Sequence, residues 1–511
     1  MPLSKRARII LSLDIGSSSC KAVLFNEFGE ELASGRGDYP LHHTGVPGEV
    51  EQHPEELWKG VRKAVSRLLR ANINVSEISA ISICSQMSSY FLVDKENRPL
   101  CNVISWMDHR ALAEAEEMKS AYKPVDLFRL LGAELPVGPS WPIPKLHWLN
   151  RNSPSVVAKA KYCVQPKEWI IWKLTSNWRT DRSSSRGMVN QISGELVTEL
   201  FEWAGIRQEL LPPIGEPFEA AGSLQPAAAE ALSLPAGIPV ILGWNDLNAA
   251  VLGAVGTGGE LRGFDITGTS EHIGIIRPGI RPEEQVIGSG INWVPFGHEH
   301  ELFYGVTSSG GLALKWYVEQ IDQFSPHQSA RKSKRADGYH TVFGHAERIN
   351  SGSDGVFFIP YLNGERSPWW NPAAKGVFYG LRFTHDRRHM ARAVLEGVGY
   401  ALRAIAQRLP EAPELIVSAG GSSRFPLWNQ IKADILGIPI SCLETSEAGC
   451  LGAAVLAAHA SGWYGSLEEA GQQMIRTVDV YEPRAHHQRV YDDGYQVFNG
   501  LYQSLLPIFL A

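Results

Sequence analysis

The sequence predicts a two-domain α/β protein, and three observations carry that prediction. The chain has 511 residues, more than one ordinary hydrophobic core accommodates, so two domains are expected. Short β-rich runs alternate with helical patterns along its length, as in a layered α/β architecture. A short pattern also recurs: residues 14–19 read DIGSSS and residues 265–270 read DITGTS. Each is an acid followed by a small-residue turn between β-like runs, one at the start of each half. The repeat implies a duplicated domain.

The elements follow in chain order. Residues 9–13 and 20–25 are β-rich and flank the first turn. Residues 26–29 form a hairpin turn, and a third strand runs to about Tyr39. A helix begins at Pro54, with Glu55 and Glu56 beside the positive end of its dipole and Leu57, Val61, Val65, Leu68 and Leu69 on one stripe. Residues 78–85 are a strand ending at Gln86-Met87-Ser88. Residues 235–239 and 253–259 are rich in Gly and Pro, and the domain boundary is placed at the second stretch, giving domains of 1–255 and 256–511. A further helix spans 389–409, with Met390, Val394, Leu395, Val398 and Leu402 on one period. Residues 414–417 then form a strand leading into Ala419-Gly420-Gly421-Ser422-Ser423.

Composition narrows the function classes. Apolar residues make up 44% and charged residues 20%, ordinary for a globular chain. A net charge of −6 gives no general attraction to nucleic acid or an anionic membrane. The six cysteines (Cys20, Cys84, Cys101, Cys163, Cys442 and Cys450) form no CxxC pair and no zinc spacing, which fits a reducing compartment. Lys5, Arg6 and Arg8 precede an apolar run that Asp14 interrupts. That run is too short for a signal peptide or a membrane span, so the expectation is a soluble, cytoplasmic protein.

Phosphate groups are held by backbone N–H donors and small side chains. Three turns offer these: Gly16-Ser17-Ser18-Ser19, Gly268-Thr269-Ser270 and Gly420-Gly421-Ser422-Ser423. None is a P-loop or a GxGxxG fingerprint, and the missing fingerprint after the first strand counts against a nicotinamide-dependent dehydrogenase. Asp14 at a strand end suits either a Mg²⁺ ligand or a turn residue. Asp246 lies among small and apolar residues in GWNDLNAAVLGAVG. It suits a general base that accepts a hydroxyl proton, or a helix N-cap. Trp106, Asp108 and Arg110 in SWMDHR suit an aromatic face plus charged hydrogen bonds to a sugar, or a salt bridge beside a core Trp. Trp141, Trp148, Trp169, Trp172 and Trp178 suit the core equally well.

The chain resembles the FGGY carbohydrate kinases. Residues 140–149 (SWPIPKLHWL) resemble the first family signature, built around Lys145 and Trp148. Residues 376–381 (GVFYGL), His389-Met390 and Ala393-Val394-Leu395-Glu396 resemble the second. Residues 360–368 (PYLNGERSP) are similar to a segment of xylulokinase-like members. The resemblance runs from Asp14 to about Ala454. It implies two actin-like, ribonuclease-H-like domains with ATP and sugar in the cleft between them. It also implies Mg²⁺ as cofactor, and phosphorylation of a ketopentose such as xylulose, with gluconate, ribulose, glycerol or another polyol as alternatives. A non-catalytic ATP-binding regulator of the same fold is the rival class. A homodimer is the oligomeric expectation.

By this resemblance Asp246 is the catalytic base, and Asp14 with Asp246 faces the metal. Met87, Ser88, Trp106, Asp108, Trp141 and Asp246 face the sugar. Ser17, Ser18, Lys21, Gly268, Thr269, Gly310, Gly311, Gly420 and Gly421 face the nucleotide. The sugar side departs from the xylulokinase pattern, with Gln86-Met87-Ser88-Ser89 replacing Gln-Met-His-Gly. Leu247 follows the base, and Glu271 follows Gly268-Thr269-Ser270 where many relatives have Gly.

Overall fold

The computed structural model describes residues 8–258, 261–322 and 335–510. Its first half opens with a meander of β1 (Ile9–Ile15), β2 (Ser19–Asn26) and β3 (Glu31–Asp38), followed by α1 (Pro54–Leu68) and β4 (Ile78–Ser85). Then come α2 (Pro142–Asn152), α3 (Pro166–Thr175), β5 (Ala220–Ser223), β6 (Pro239–Asn245) and α4 (Asp246–Val255). The strands form one sheet in the order β5-β6-β4-β1-β2-β3.

The second half contains β7 (Arg262–Thr267), β8 (Glu271–Pro278), β9 (Asn292–Phe296), β10 (His300–Thr307), α5 (Gly310–Gln320) and α6 (Arg387–Ala406). It continues with β11 (Leu415–Gly420), α7 (Pro426–Leu436), β12 (Ile440–Leu443), α8 (Ala448–Ala460) and β13 (Thr477–Tyr481). Its sheet runs β9-β10-β8-β7-β11-β12-β13.

The two sheets repeat one plan. In the first, β1 pairs antiparallel with β2, β2 with β3, and parallel pairs join β1 to β4 and β4 to β6. In the second, β7, β8 and β10 form the antiparallel meander, and parallel pairs join β7 to β11 and β11 to β12. The outer strands β5 and β13 are antiparallel to their neighbours in both. The duplication expected from the two acid-and-turn segments is therefore present as a repeated sheet topology.

The repeat is offset by one residue. Gly16 donates to the Ser19 carbonyl at 3.0 Å and Gly268 to the Ser270 carbonyl at 2.8 Å, so these glycines mark equivalent turns. Asp14 precedes its glycine by two residues and Asp265 by three. Side chains alternate along a strand, so the two acids point to opposite faces. Asp14 is half-buried, whereas Asp265 is fully buried and bound by Lys432 at 2.7 Å and Ser418 at 3.0 Å.

The halves are joined by a shared core. Ile10 and Val23 of the first sheet and Val417 and Ala419 of the second lie in one apolar cluster with Val251, Leu252, Ala453 and Leu456 of α4 and α8. The two helices touch through small residues. A Cβ added at Gly253 would lie 2.1 Å from the Ala448 carbonyl, and one at Gly452 would lie 1.8 Å from the Ala249 carbonyl. No other residue type fits the crossing at Gly452 without moving a backbone. Among the described residues no helix is long and apolar enough to cross a membrane.

Candidate active site

The parallel strands β1, β4 and β6 deliver their carboxyl ends to one place, where open α/β sheets bind ligands. Asp14 lies near the end of β1, paired across the sheet with Lys21 on β2 and Cys84 on β4. Its carboxyl is raised above the ordinary value, first by burial; Lys21 pulls against this and Glu447 adds to it. Asp246 is the first residue of α4. Its cap is supplied by Asn245, whose side chain accepts from the Asn248 N–H at 2.9 Å. The capping role that sequence reasoning offered Asp246 thus belongs to its neighbour. The Asp246 carboxylate accepts from the Leu247 N–H at 2.8 Å and is half-buried at the helix start. Burial and then the charge of Asp14 push its pKa up to about 7.

A divalent cation fits these acids. Asp14 raises the pKa of Asp246, a conflict that a bound cation would relieve. Among the described residues there is no group of three or more His, Cys, Asp and Glu able to hold a metal. Asp14 and Asp246 are of the donor type that Mg²⁺ takes, one or two carboxylates beside substrate phosphates and water.

The loop after β4 and the segment before Trp106 converge on Lys145. This residue of α2 is buried and donates to the carbonyls of Ser88 at 2.8 Å, Ile104 at 3.2 Å and Ser105 at 2.7 Å. Burial lowers its pKa to about 7. Against this, three carbonyls supply one acceptor for each ammonium N–H. Met87 and Ser88 follow β4, and the Ser88 N–H donates to the Gln165 side chain at 3.0 Å. Trp106 is 39% exposed and donates its indole N–H to the Ser17 hydroxyl at 2.9 Å, so it is a surface ring beside the first turn and no core residue.

Asp108 is fully buried. Its oxygens accept from the Val50 N–H at 2.7 Å and from the Arg110 guanidinium at 2.8 and 2.9 Å, so a ligand meets an already satisfied carboxylate. Trp141 stands at the start of α2, where its carbonyl accepts from the Lys145 N–H. Trp169 and Trp172 stack at 5.0 Å and Trp172 and Trp178 at 5.4 Å, forming an aromatic block behind β4.

The second half supplies the turns expected on the nucleotide side. The Gly311 N–H donates to the Gly268 carbonyl at 3.1 Å and the Leu312 N–H to the Thr269 carbonyl at 3.0 Å, seating the start of α5 on the β7–β8 turn. Gly310 is packed against the Glu271 side chain. Gly420 takes a left-handed backbone, φ 100°, where a Cβ would strike the Thr267 carbonyl at 2.2 Å. Gly421 beside it faces open space. Behind the turns, Lys432 binds Asp265 and Glu271, and the Thr267 hydroxyl bonds Glu271 at 3.0 Å. Burial alone would disfavour the Lys432 ammonium, and the two carboxylates hold its pKa above the ordinary value. On the first-half side Lys21 forms an ion pair with Glu447, at 2.5 Å, across the two halves. Ser17 and Ser18 lie in the β1–β2 turn, Ser18 exposed and accepting from the Tyr39 N–H.

Sequence reasoning missed Arg186. It is 7% exposed, and its guanidinium donates to the Tyr304 hydroxyl at 3.2 Å and to the Asn248 carboxamide at 3.2 Å, with the Met87 sulfur at 4.0 Å. It draws the Asp246 carboxyl downward against the larger effect of burial. An arginine in the serine-rich stretch TDRSSSRGM carries no periodicity, and only the fold brings it to β6 and α4.

Two actin-like sheets with paired acids at the strand ends define a two-domain phosphotransferase architecture. Residues 9–253 match the N-terminal domain of the FGGY family of carbohydrate kinases and residues 266–461 its C-terminal domain. The chain belongs to the FGGY family of carbohydrate kinases and is a sugar kinase by that membership. Its relatives include a gluconokinase of Bacillus subtilis, 29% identical with 98% of this chain and 94% of that protein covered. A xylulose kinase of Escherichia coli is also 29% identical, covering 98% and 99%. Similar solved structures include a gluconate kinase from Lactobacillus acidophilus, with TM-score 0.85 and 28% identity over 98% of each chain. The ligand-bound xylulose kinase from the same organism has TM-score 0.85 and 27% identity, again over 98% of each chain.

Proposed function

We propose that this kinase transfers the γ-phosphoryl group of ATP to a hydroxyl of a polyhydroxylated acceptor, with Asp246 accepting the hydroxyl proton. The acceptor is a sugar or polyol: a ketopentose such as xylulose, which the 360–368 segment favours, or gluconate, ribulose or glycerol. Residues 1–255 form the acceptor side and residues 256–511 the nucleotide side.

One observation carries the reading. A half-buried carboxyl at the head of α4, held near pKa 7 beside a second acid, is poised to take a proton at neutral pH. The β11 turn offers open space beside Gly421 for phosphate oxygens, next to the small residues of the β7–β8 turn. Asp14 and Asp246 would hold Mg²⁺, which, bound with ATP, neutralises phosphate charge. Met87, Ser88, Trp106 and Trp141 orient the acceptor. Asp108 acts one step behind them, through Arg110. Closure of the two halves would exclude water, which competes as acceptor.

Asp246→Ala is expected to retain ATP binding and to lose sugar phosphorylation by roughly 10²–10⁴-fold, the usual range for a general base. ADP release across a panel of pentuloses, hexuloses, aldonates and polyols measures this. Near-normal turnover by the variant would refute Asp246 as base. No acceptor-stimulated ADP release by the native protein would favour the non-catalytic regulator.

A further inference from the structure

The Arg186 guanidinium is a buried cation whose field reaches Asp246 but which forms no ion pair among the described residues. Its three contacts are a hydroxyl, a carboxamide oxygen and a thioether, and no carboxylate of the described residues lies within salt-bridge distance, 4.0 Å. Its Nε is buried without a hydrogen-bond partner, as is the Nδ2 of the neighbouring Asn248. A buried charge is costly unless it is paired, and two idle donors side by side make an incomplete anion site. The fold still fixes the loop firmly. Asp181 is bound by Lys167 and by Ser183 at 2.6 Å, Ser183 accepts from Asn245 at 2.8 Å, and the Ser184 carbonyl accepts from Gln165. Gln165 in turn holds Ser88 at 3.0 Å, and the Cβ position of Gly187 lies 3.4 Å from the Trp141 ring. Arg186 is thus preorganised by the same residues that shape the acceptor loops.

Resting on the kinase reading above, we infer that the preferred acceptor is a sugar acid whose carboxylate is received by Arg186 and Asn248. A planar guanidinium with a free N–H edge matches a carboxylate, and such charge-assisted hydrogen bonds are the strong ones. The transferring phosphoryl group is the other anion in the cleft. Arg186 touches Met87 and Asn248 of the first half and the Tyr304 hydroxyl of the second, whereas the phosphate turns at Gly268 and Gly420 are bound by other residues, which favours the acceptor.

The test pairs acids with neutral analogues of equal skeleton: gluconate with glucitol, xylonate with xylitol, and xylulose as the ketopentose. Native protein is expected to favour each acid in kcat/KM. Arg186→Gln is expected to cut the acid-over-neutral ratio by about 10- to 150-fold, the worth of one hydrogen bond to a charged group. Arg186→Lys should recover part of it. Preference for xylulose or a polyol overturns the inference and leaves the kinase reading intact. An equal loss on acid and neutral acceptors in Arg186→Gln also overturns it, and points to the phosphoryl group or to Asp246 as the partner of the arginine. No ADP with any acceptor refutes the kinase reading alone. The inference then stands on thermal shift: gluconate, and not glucitol, should raise the unfolding midpoint of native protein and fail to do so in Arg186→Gln. Absence of that difference overturns it.

Discussion

Burial sets the working state of the acids and the lysine at this site. Asp246 has its pKa lifted to about 7, first by burial and then by Asp14. As a base it must be ionised, so kcat/KM should fall about tenfold per pH unit below pH 7, with one proton taken up. Stability moves the other way. The folded pKa lies above the unfolded value of about 3.9. The contribution of this group is therefore complete below the unfolded value and is lost as pH rises through 7. Activity and thermal midpoint measured together from pH 5.5 to 8.5 should show these opposite slopes, and Asp246→Asn should flatten both. A rate profile without an acid limb near 7 would contradict this assignment. Lys145 poses a separate question, since its three carbonyl acceptors come from two different loops. Lys145→Met leaves those carbonyls without a donor, at about 1–3 kcal/mol each where they stay buried. The variant should lose several kcal/mol in denaturant unfolding and show a raised acceptor KM, because the Ser88 and Ser105 segments lose their common tie. An unchanged KM with lowered stability would restrict Lys145 to a structural role.

At the scale of elements, α4 and α8 cross in close contact through small residues. Gly452→Val places carbon atoms where the Ala249 carbonyl stands, and the helices must separate. Overpacking of this kind costs about 1–3 kcal/mol, and more where backbone must move. The measurement is the denaturation midpoint, accompanied by acceptor KM, since α4 carries Asp246 and Asn248 at its head. A stable variant with native KM would show that the join is looser than this geometry. The elements themselves were largely legible in sequence. β4 occupies the predicted residues 78–85, and α1 begins at Pro54 with its acidic first turn, because period, proline and dipole all agree there. The long helix begins at Arg387, two residues before the predicted start, because Asp386 caps it through its own side chain. What could not be read was pairing across distance. The Asp265 echo marks the repeated turn, yet one extra residue before that turn sends its side chain to the opposite face from Asp14, into a network with Lys432. Arg186 and the Cys84 partner of Asp14 became visible only when strands far apart in sequence were laid side by side.

The whole molecule combines two repeated sheets with one continuous interior, and this decides how it should unfold. Two domains with separate cores and a small polar contact would melt independently. Here Val251, Leu252 and Val255 of α4 share their apolar surroundings with Ala453, Leu456 and Ala457 of α8, and strands of both sheets line the same cluster. Opening either half would expose the packed face of the other. Polar links at the rim, such as Arg476 with Glu30 at 3.0 Å, add little by comparison, since exposed ion pairs are worth about 0–1 kcal/mol. Scanning calorimetry should therefore record one cooperative transition, with calorimetric and van't Hoff enthalpies close to each other. A nucleotide bound on the second-half turns should shift the entire transition upward. Gly452→Val, which weakens the join and leaves each sheet intact, is the variant expected to split it. Two resolved transitions in the native protein, only one of them moved by nucleotide, would mean that the α4–α8 interior does not couple the halves, and closure would then have to be driven by ligand contacts alone.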